Sequence, residues 1–202
     1  MAEGTWEYVR KIKISFIAII LLFTLAFVAG NITAIQDPAT AKIFMDQIDA
    51  KFTPIIDLNP FIIMIVIFLN NSLISLVSVL LGILFGIVPI IVTISNGYAL
   101  GIVFYMLAKD KGILYLITGI VPHGIIELPI VFISLAIGLN IGFEFIRSIF
   151  CKKTSINLCS KHTDIKTELK EGIHFYFHKV LPLLLLAAII ETFITPLFIA
   201  LN

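Results

Sequence analysis

Charge is what this sequence lacks most. Between Phe61 and Ala108 there is no Asp, Glu, Lys or Arg, a run of 48 residues. Charged residues make up 13% of the whole chain, against roughly 25% in soluble domains. Hydrophobic residues make up 59%, and the mean hydropathy is +1.09. No water-soluble core absorbs that much apolar surface, so a soluble globular protein is excluded. Cysteine is nearly absent: Cys151 and Cys159 are too few for a disulfide framework. The formal net charge of +1 says nothing about nucleic acid, but no basic or aromatic binding motif appears, so no nucleic-acid partner is expected. Phosphate-binding glycine loops, a His-Glu-x-x-His zinc motif and a Gly-x-Ser-x-Gly elbow are missing too. Whether the chain is an enzyme stays open, leaning to no, and no cofactor is expected.

What is present is a series of long apolar runs. A helix needs about 20 apolar residues, at 1.5 Å each, to cross a bilayer. The segment 12–32 supplies one, and its basic start (Arg10, Lys11, Lys13) reads as the flank of a retained membrane helix rather than a signal peptide. The run 61–108 would be about 72 Å long as one helix, so it must fold back. The turn is expected within 82–89, where Gly82, Gly86 and Pro89 weaken helix continuity, giving spans over 59–82 and 87–108. The run 113–146 is too long for one simple span, and Pro122 interrupts it. A half-helix 113–121 that re-enters, followed by a full helix, is the expected form; one kinked helix is the alternative. The last span is 180–201. The fold class is therefore all-α: a single membrane domain over 1–202, with about five spans.

Sidedness follows from basic residues. Loop 147–179 carries seven Lys/Arg, whereas loop 33–58 carries two lysines and four aspartates. The expectation is a multi-pass cell-membrane protein with the N-terminus and 147–179 cytoplasmic and 33–58 outside. Ile43, Phe44, Ile48 and Phe52 recur at helical spacing in the outer loop, which predicts a short surface helix.

Polar residues lie deep in these runs. Asn70 and Asn71 sit midway through one span, Asn96 midway through the next, and Glu191 at the centre of the last. His123 and Glu127 lie near the centre of 113–146. An ionised carboxylate at the bilayer centre costs about 2.5–3.5 kcal/mol or more. Glu191 is about 15 Å from either end of its span, so it must be paired, hydrated or uncharged. These residues, with Thr195, are expected to form one midplane cluster, able to hold an ion, a proton or a small polar solute. The asparagines serve equally well as glue between helices. His123 and Glu127, four apart, share a helix face and are weak candidates for a metal. A bound cation is conceivable at such a cluster. Gly82/Gly86, Gly97/Gly101 and Gly138/Gly142 are small-xxx-small pairs that let helices approach closely, in the bundle or between copies. A homo-oligomer, a dimer first, or another membrane protein is the expected partner besides the lipid bilayer.

Taken together, Asn70-Asn71, Gly82, Gly86, Asn96-Gly97, Gly101, Pro122-His123-Gly124, Glu127-Leu128-Pro129, Gly138 to Gly142, Ile190-Glu191 and Thr195-Pro196 resemble the stage II sporulation protein M family. The resemblance covers about 59–202. It implies a polytopic membrane protein, and the namesake's role implies a membrane scaffold or assembly partner. The residues themselves keep two alternatives open: a small channel or transporter using the His/Glu/Asn cluster, and a metal-dependent membrane enzyme using His123 and Glu127.

Overall fold

The computed structural model describes residues 2–56, 58–153 and 164–196. Among them there is no strand. Helix α1 spans Ala2–Lys11, α2 Lys13–Gln36, α3 Pro38–Ile56, α4 Pro60–Leu80, α5 Ile87–Lys111, α6 Ile113–Lys153 and α7 Ile165–Phe175. One π-helical turn (Tyr176–Val180) joins α7 to α8 (Leu181–Ile189), and a second (Ile190–Ile194) follows it. Five stretches are long and apolar enough to cross a membrane: Lys13–Gln36, Pro60–Ile83, Ile87–Lys111, Gly124–Phe150 and Ile165–Ile194.

Local chemistry sets the helix ends. Asp37 caps α3, accepting from the Thr40 amide at 3.1 Å and the Thr40 hydroxyl at 2.6 Å, with Pro38 opening the helix. Asn59 does the same for α4, accepting from the Phe61 amide at 2.9 Å ahead of Pro60. The α4–α5 turn occupies 81–86 and has two consecutive left-handed residues, Phe85 (φ 57°) and Gly86 (φ 71°). Glycine suits that region, whereas phenylalanine is strained there. At the far end one residue, Gly112 at φ 84°, reverses the chain between α5 and α6.

One expectation needs correction. Helix α6 is continuous from Ile113 to Lys153, 41 residues through Pro122, so there is no re-entrant half-helix 113–121. A proline removes one backbone hydrogen bond, but a full break in a membrane orphans several donors and acceptors with no water to satisfy them. Past residue 147, α6 runs on to Lys153, and α7 opens at Ile165 after Asp164, a residue suited to cap a helix, and continues through the π-helical turn into the last span.

The packing is built on α6, the most buried of the five spans. Helices α2 and α5 pair closely and in parallel on one side of it, while α4 and α8 pair on the other. Close approach depends on glycine. A Cβ on Gly138 would run into the Ser78 carbonyl, and one on Gly142 into the Gly86 backbone. A Cβ on Gly97 would meet the Phe23 carbonyl, and one on Gly101 the Phe27 carbonyl. Phe61 meets Phe193 (5.7 Å between centroids) at one end of α4, while the Tyr176 hydroxyl donates to the Ser72 carbonyl (2.7 Å) further along. The α8 segment therefore runs antiparallel to α4, and the five spans alternate in direction.

Helix α1 and α7 meet at one end. Lys11 pairs with Glu168, which is fully buried, and with Glu171 at 2.9 Å. Tyr8 stacks on Phe175 at 4.9 Å. Gly172 leaves room for Ile137, Ile141 and the Tyr8 hydroxyl. This end thus gathers the N-terminus, the 81–86 turn, the far part of α6 and the start of α7. Burial by itself lowers the Lys11 pKa, but hydrogen bonds and charge from Glu168 and Glu171 outweigh it, and the net direction is up. Burial, then Glu168 and Glu171, push the Tyr8 phenol up as well.

Two stability outcomes follow from this packing. Gly138→Ala is expected to destabilise the protein by about 1–3 kcal/mol, the cost of overpacking. Gly124→Ala, whose added methyl meets only Leu128 at 3.7 Å, should be neutral or gain up to about 1 kcal/mol of helix propensity. Thermal unfolding in detergent separates the two. Lys11→Met strands the buried Glu168 and should cost about 3 kcal/mol, the low end for a broken buried pair because Lys11 is partly exposed. Adding Glu168→Gln should recover part of that loss. A raised lysine pKa stabilises fully below its ordinary value of 10.5 and ceases to do so as pH rises through the folded-state value. The parent's melting temperature should therefore fall toward that of Lys11→Met in strongly alkaline buffer.

Candidate intramembrane site

Although one short turn joins them, α4 and α5 touch little beyond it, because each is held by a different partner. A cleft opens between them, with α6 as its floor. It holds a cavity of about 180 Å³, room for several waters. Asn70, Asn71 and Ser75 come to it from α4, Asn96 from α5 and Glu127 from α6. Phe23 of α2, together with Leu128, Val131, Phe132 and Leu135 of α6, supplies most of the apolar wall.

Helical geometry explains the gathering. Asn71 and Ser75 are four apart on α4 and share its inner face. Asn96 immediately precedes Gly97, the glycine that lets α5 sit against the α2 backbone, so its place on the cleft follows from that contact. Glu127, Val131 and Leu135 repeat every four residues along α6. Glu127 is 8% exposed. Asn70 donates its side-chain amide to the Asn71 carboxamide oxygen at 3.2 Å. Phe23 and Phe132 meet edge to face at 4.8 Å. The Ser75 hydroxyl is fully buried and has no hydrogen-bond partner among the described residues. Membrane serines ordinarily bond back to their own helix, as Ser78 does to the Ile74 carbonyl at 2.7 Å. Among the described lining residues the one charged type is a carboxylate, and no basic side chain is present. The site can therefore present an anionic oxygen, carboxamide oxygens and a hydroxyl to a positively charged or hydrogen-bond-donating guest.

Of the residues singled out above, Asn70, Asn71, Asn96 and Glu127 line one cavity. Glu191 and Thr195 are not on its described lining. They sit on the last helix, Glu191 within the second π-helical turn, which packs against α4 and α6. Thr195 is buried and bonds weakly back to the Ile190 carbonyl at 3.5 Å. His123 lies one helical turn before Glu127 on α6, but its side chain is outside the described residues, so the His123–Glu127 metal expectation is outside them too. No group of three or more His, Cys, Asp or Glu able to hold a metal occurs among the described residues. The sequence reading missed Ser75, Phe23 and Phe132. Ser75 carried a usable signal, its four-residue spacing from Asn71; the two phenylalanines carried none.

No solved structure matches this chain. It is similar to an uncharacterised protein of Methanocaldococcus jannaschii, at 30% identity over 191 residues that cover 91% of this chain and 95% of that protein. The family described as Stage II sporulation protein M matches residues 19–196, which takes in the described lining of the cavity and all the spans but the first six residues of α2, and leaves out α1. With five alternating apolar helices and that match over most of its length, the chain is an integral membrane protein belonging to the stage II sporulation protein M family.

Proposed function

We propose that this protein is a small carrier or channel that binds a cation at the Asn70/Asn71/Asn96/Glu127 cavity and passes it across the membrane. The observation that carries the reading is the buried Glu127 carboxylate beside three carboxamides and the Ser75 hydroxyl, which has no partner among the described residues, in a cavity with no basic residue on its described lining. Acidic groups at bilayer depth are expensive and are kept where they face partners, water or cargo. The two flanking helix pairs, which pack on α6 and touch each other little, give the cleft separate walls.

The test is flux. Liposomes holding the parent protein should take up radiolabelled methylammonium or rubidium above empty liposomes, and uptake should saturate. Glu127→Gln keeps the side chain's shape and should reduce uptake at least tenfold while retaining helical content by circular dichroism. A parent no better than empty liposomes, or a Gln variant as active as the parent, sinks the transport reading.

One observation favours a scaffold instead. The end formed by α1, α7 and the far part of α6 is held by the buried Lys11–Glu168 pair, a rigid platform for another membrane protein or a second copy. A scaffold gives no flux and is indifferent to Glu127→Gln.

Charge asymmetry supports a cytoplasmic placement for that platform, with α3 outside. Asp46 and Lys166 are both exposed. With Cys151 and Cys159 replaced, Asp46→Cys should react with an impermeant maleimide added to intact cells, and Lys166→Cys only after lysis.

A further inference from the structure

We propose that the cation taken by this cavity is a protonated primary amine bearing an apolar chain, seated with its ammonium at Glu127 and its chain directed through the α4–α5 opening into the bilayer. The inference rests on the cation reading above and names its substrate class.

Three observations carry it. The first is the opening. Asn70 on α4 and Asn96 on α5 line the cavity and yet are exposed along the side of the bundle. Both lie at mid-span, where the surroundings are hydrocarbon rather than water. The cleft is therefore reached sideways from the bilayer, and a guest with an apolar part loses nothing by extending that way.

The second is the wall. Apolar side chains, including Phe23, Phe132, Val131 and Leu135, outnumber the polar ones. A bare metal cation is held by a shell of oxygens, six or so for the common hard ions, and most of this surface offers it nothing. An alkyl chain that passes along this wall and on into the lipid leaves water at every methylene, which is favourable throughout.

The third is the donor count. A primary ammonium carries three N–H donors and no acceptor. Glu127 supplies a carboxylate and Asn71 or Asn96 a carboxamide oxygen. Ser75 supplies a hydroxyl oxygen that is fully buried and has no partner among the described residues. Those acceptors come from α4, α5 and α6, so a bound ammonium would bridge the two flanking helix pairs. A carboxylate or phosphate guest would bring a second anionic group beside the Glu127 carboxylate.

The experiment is calorimetric titration of the full-length protein in lipid nanodiscs, with empty nanodiscs as blank. The probes are methylammonium, n-hexylammonium and hexanoate. Hexylammonium should bind at least tenfold tighter than methylammonium, and hexanoate should not bind above blank. Ser75→Ala, a small change in a helix that tolerates alanine, should weaken hexylammonium several-fold, and Glu127→Gln should weaken it at least tenfold. Equal affinity for the two amines overturns the inference and leaves the cation reading standing. Binding of hexanoate like that of hexylammonium, or binding untouched by both substitutions, means partition into lipid and overturns it as well. No binding of either amine overturns this inference, and the cation reading then stands or falls on rubidium uptake.

Discussion

Backbone packed directly on backbone, at the glycines of α6, is the constraint on which the rest of this structure depends. Inside a bilayer helices gain little from hiding apolar side chains, since the lipid is equally apolar. Association comes from close contact and from polar groups meeting across helices. Gly138 and Gly142 provide that contact by seating the 81–86 turn and the end of α4 on α6. Gly97 and Gly101 do the same between α5 and α2. The strained Phe85 is a cost of a turn whose position is imposed by these seams.

The same seams create the cleft. Helix α5 is drawn onto α2 and α4 onto α6 and α8, so two helices adjacent in sequence part company above their turn. Among the described residues the gap is lined by five polar residues and a larger number of apolar ones. A tightly closed four-helix arrangement would have used the asparagines as glue between α4 and α5. Here Asn70 bonds to its own neighbour Asn71, and the carboxamides face a cavity instead of each other's helices. Membership of the stage II sporulation protein M family does not by itself supply an activity, so the reading of function stands on this geometry.

A second feature separates the two ends of the molecule. One end is stiffened by a buried ion pair and an aromatic stack between α1 and α7. The other is closed by Gly112 and by α3, whose buried Ala41 packs near Ala34 and Ile102. The stiff end is joined through α7 and one π-helical turn to α8, which packs against α4. Whatever docks on α1 and α7 is therefore connected through α8 to α4, whose residues line the cavity.

Composition and spacing alone determined that this chain is a helical membrane protein with five spans, because about 20 uncharged residues leave a backbone few other ways to satisfy itself in lipid. They also marked Asn70, Asn71, Asn96 and Glu127 as costly residues at one depth. Depth, however, is a one-dimensional property. Which way each helix faces depends on its rotation against its neighbours, and only the tertiary structure sets that. It turned Asn70, Asn71, Asn96 and Glu127 toward one cavity, left Glu191 and Thr195 off the described lining, and recruited Ser75, signalled only by its spacing from Asn71, with two phenylalanines that no local pattern announced. It also decided the fate of Pro122. A proline reads locally as a break, but in a water-free environment losing one hydrogen bond costs less than losing a turn, and α6 runs through it.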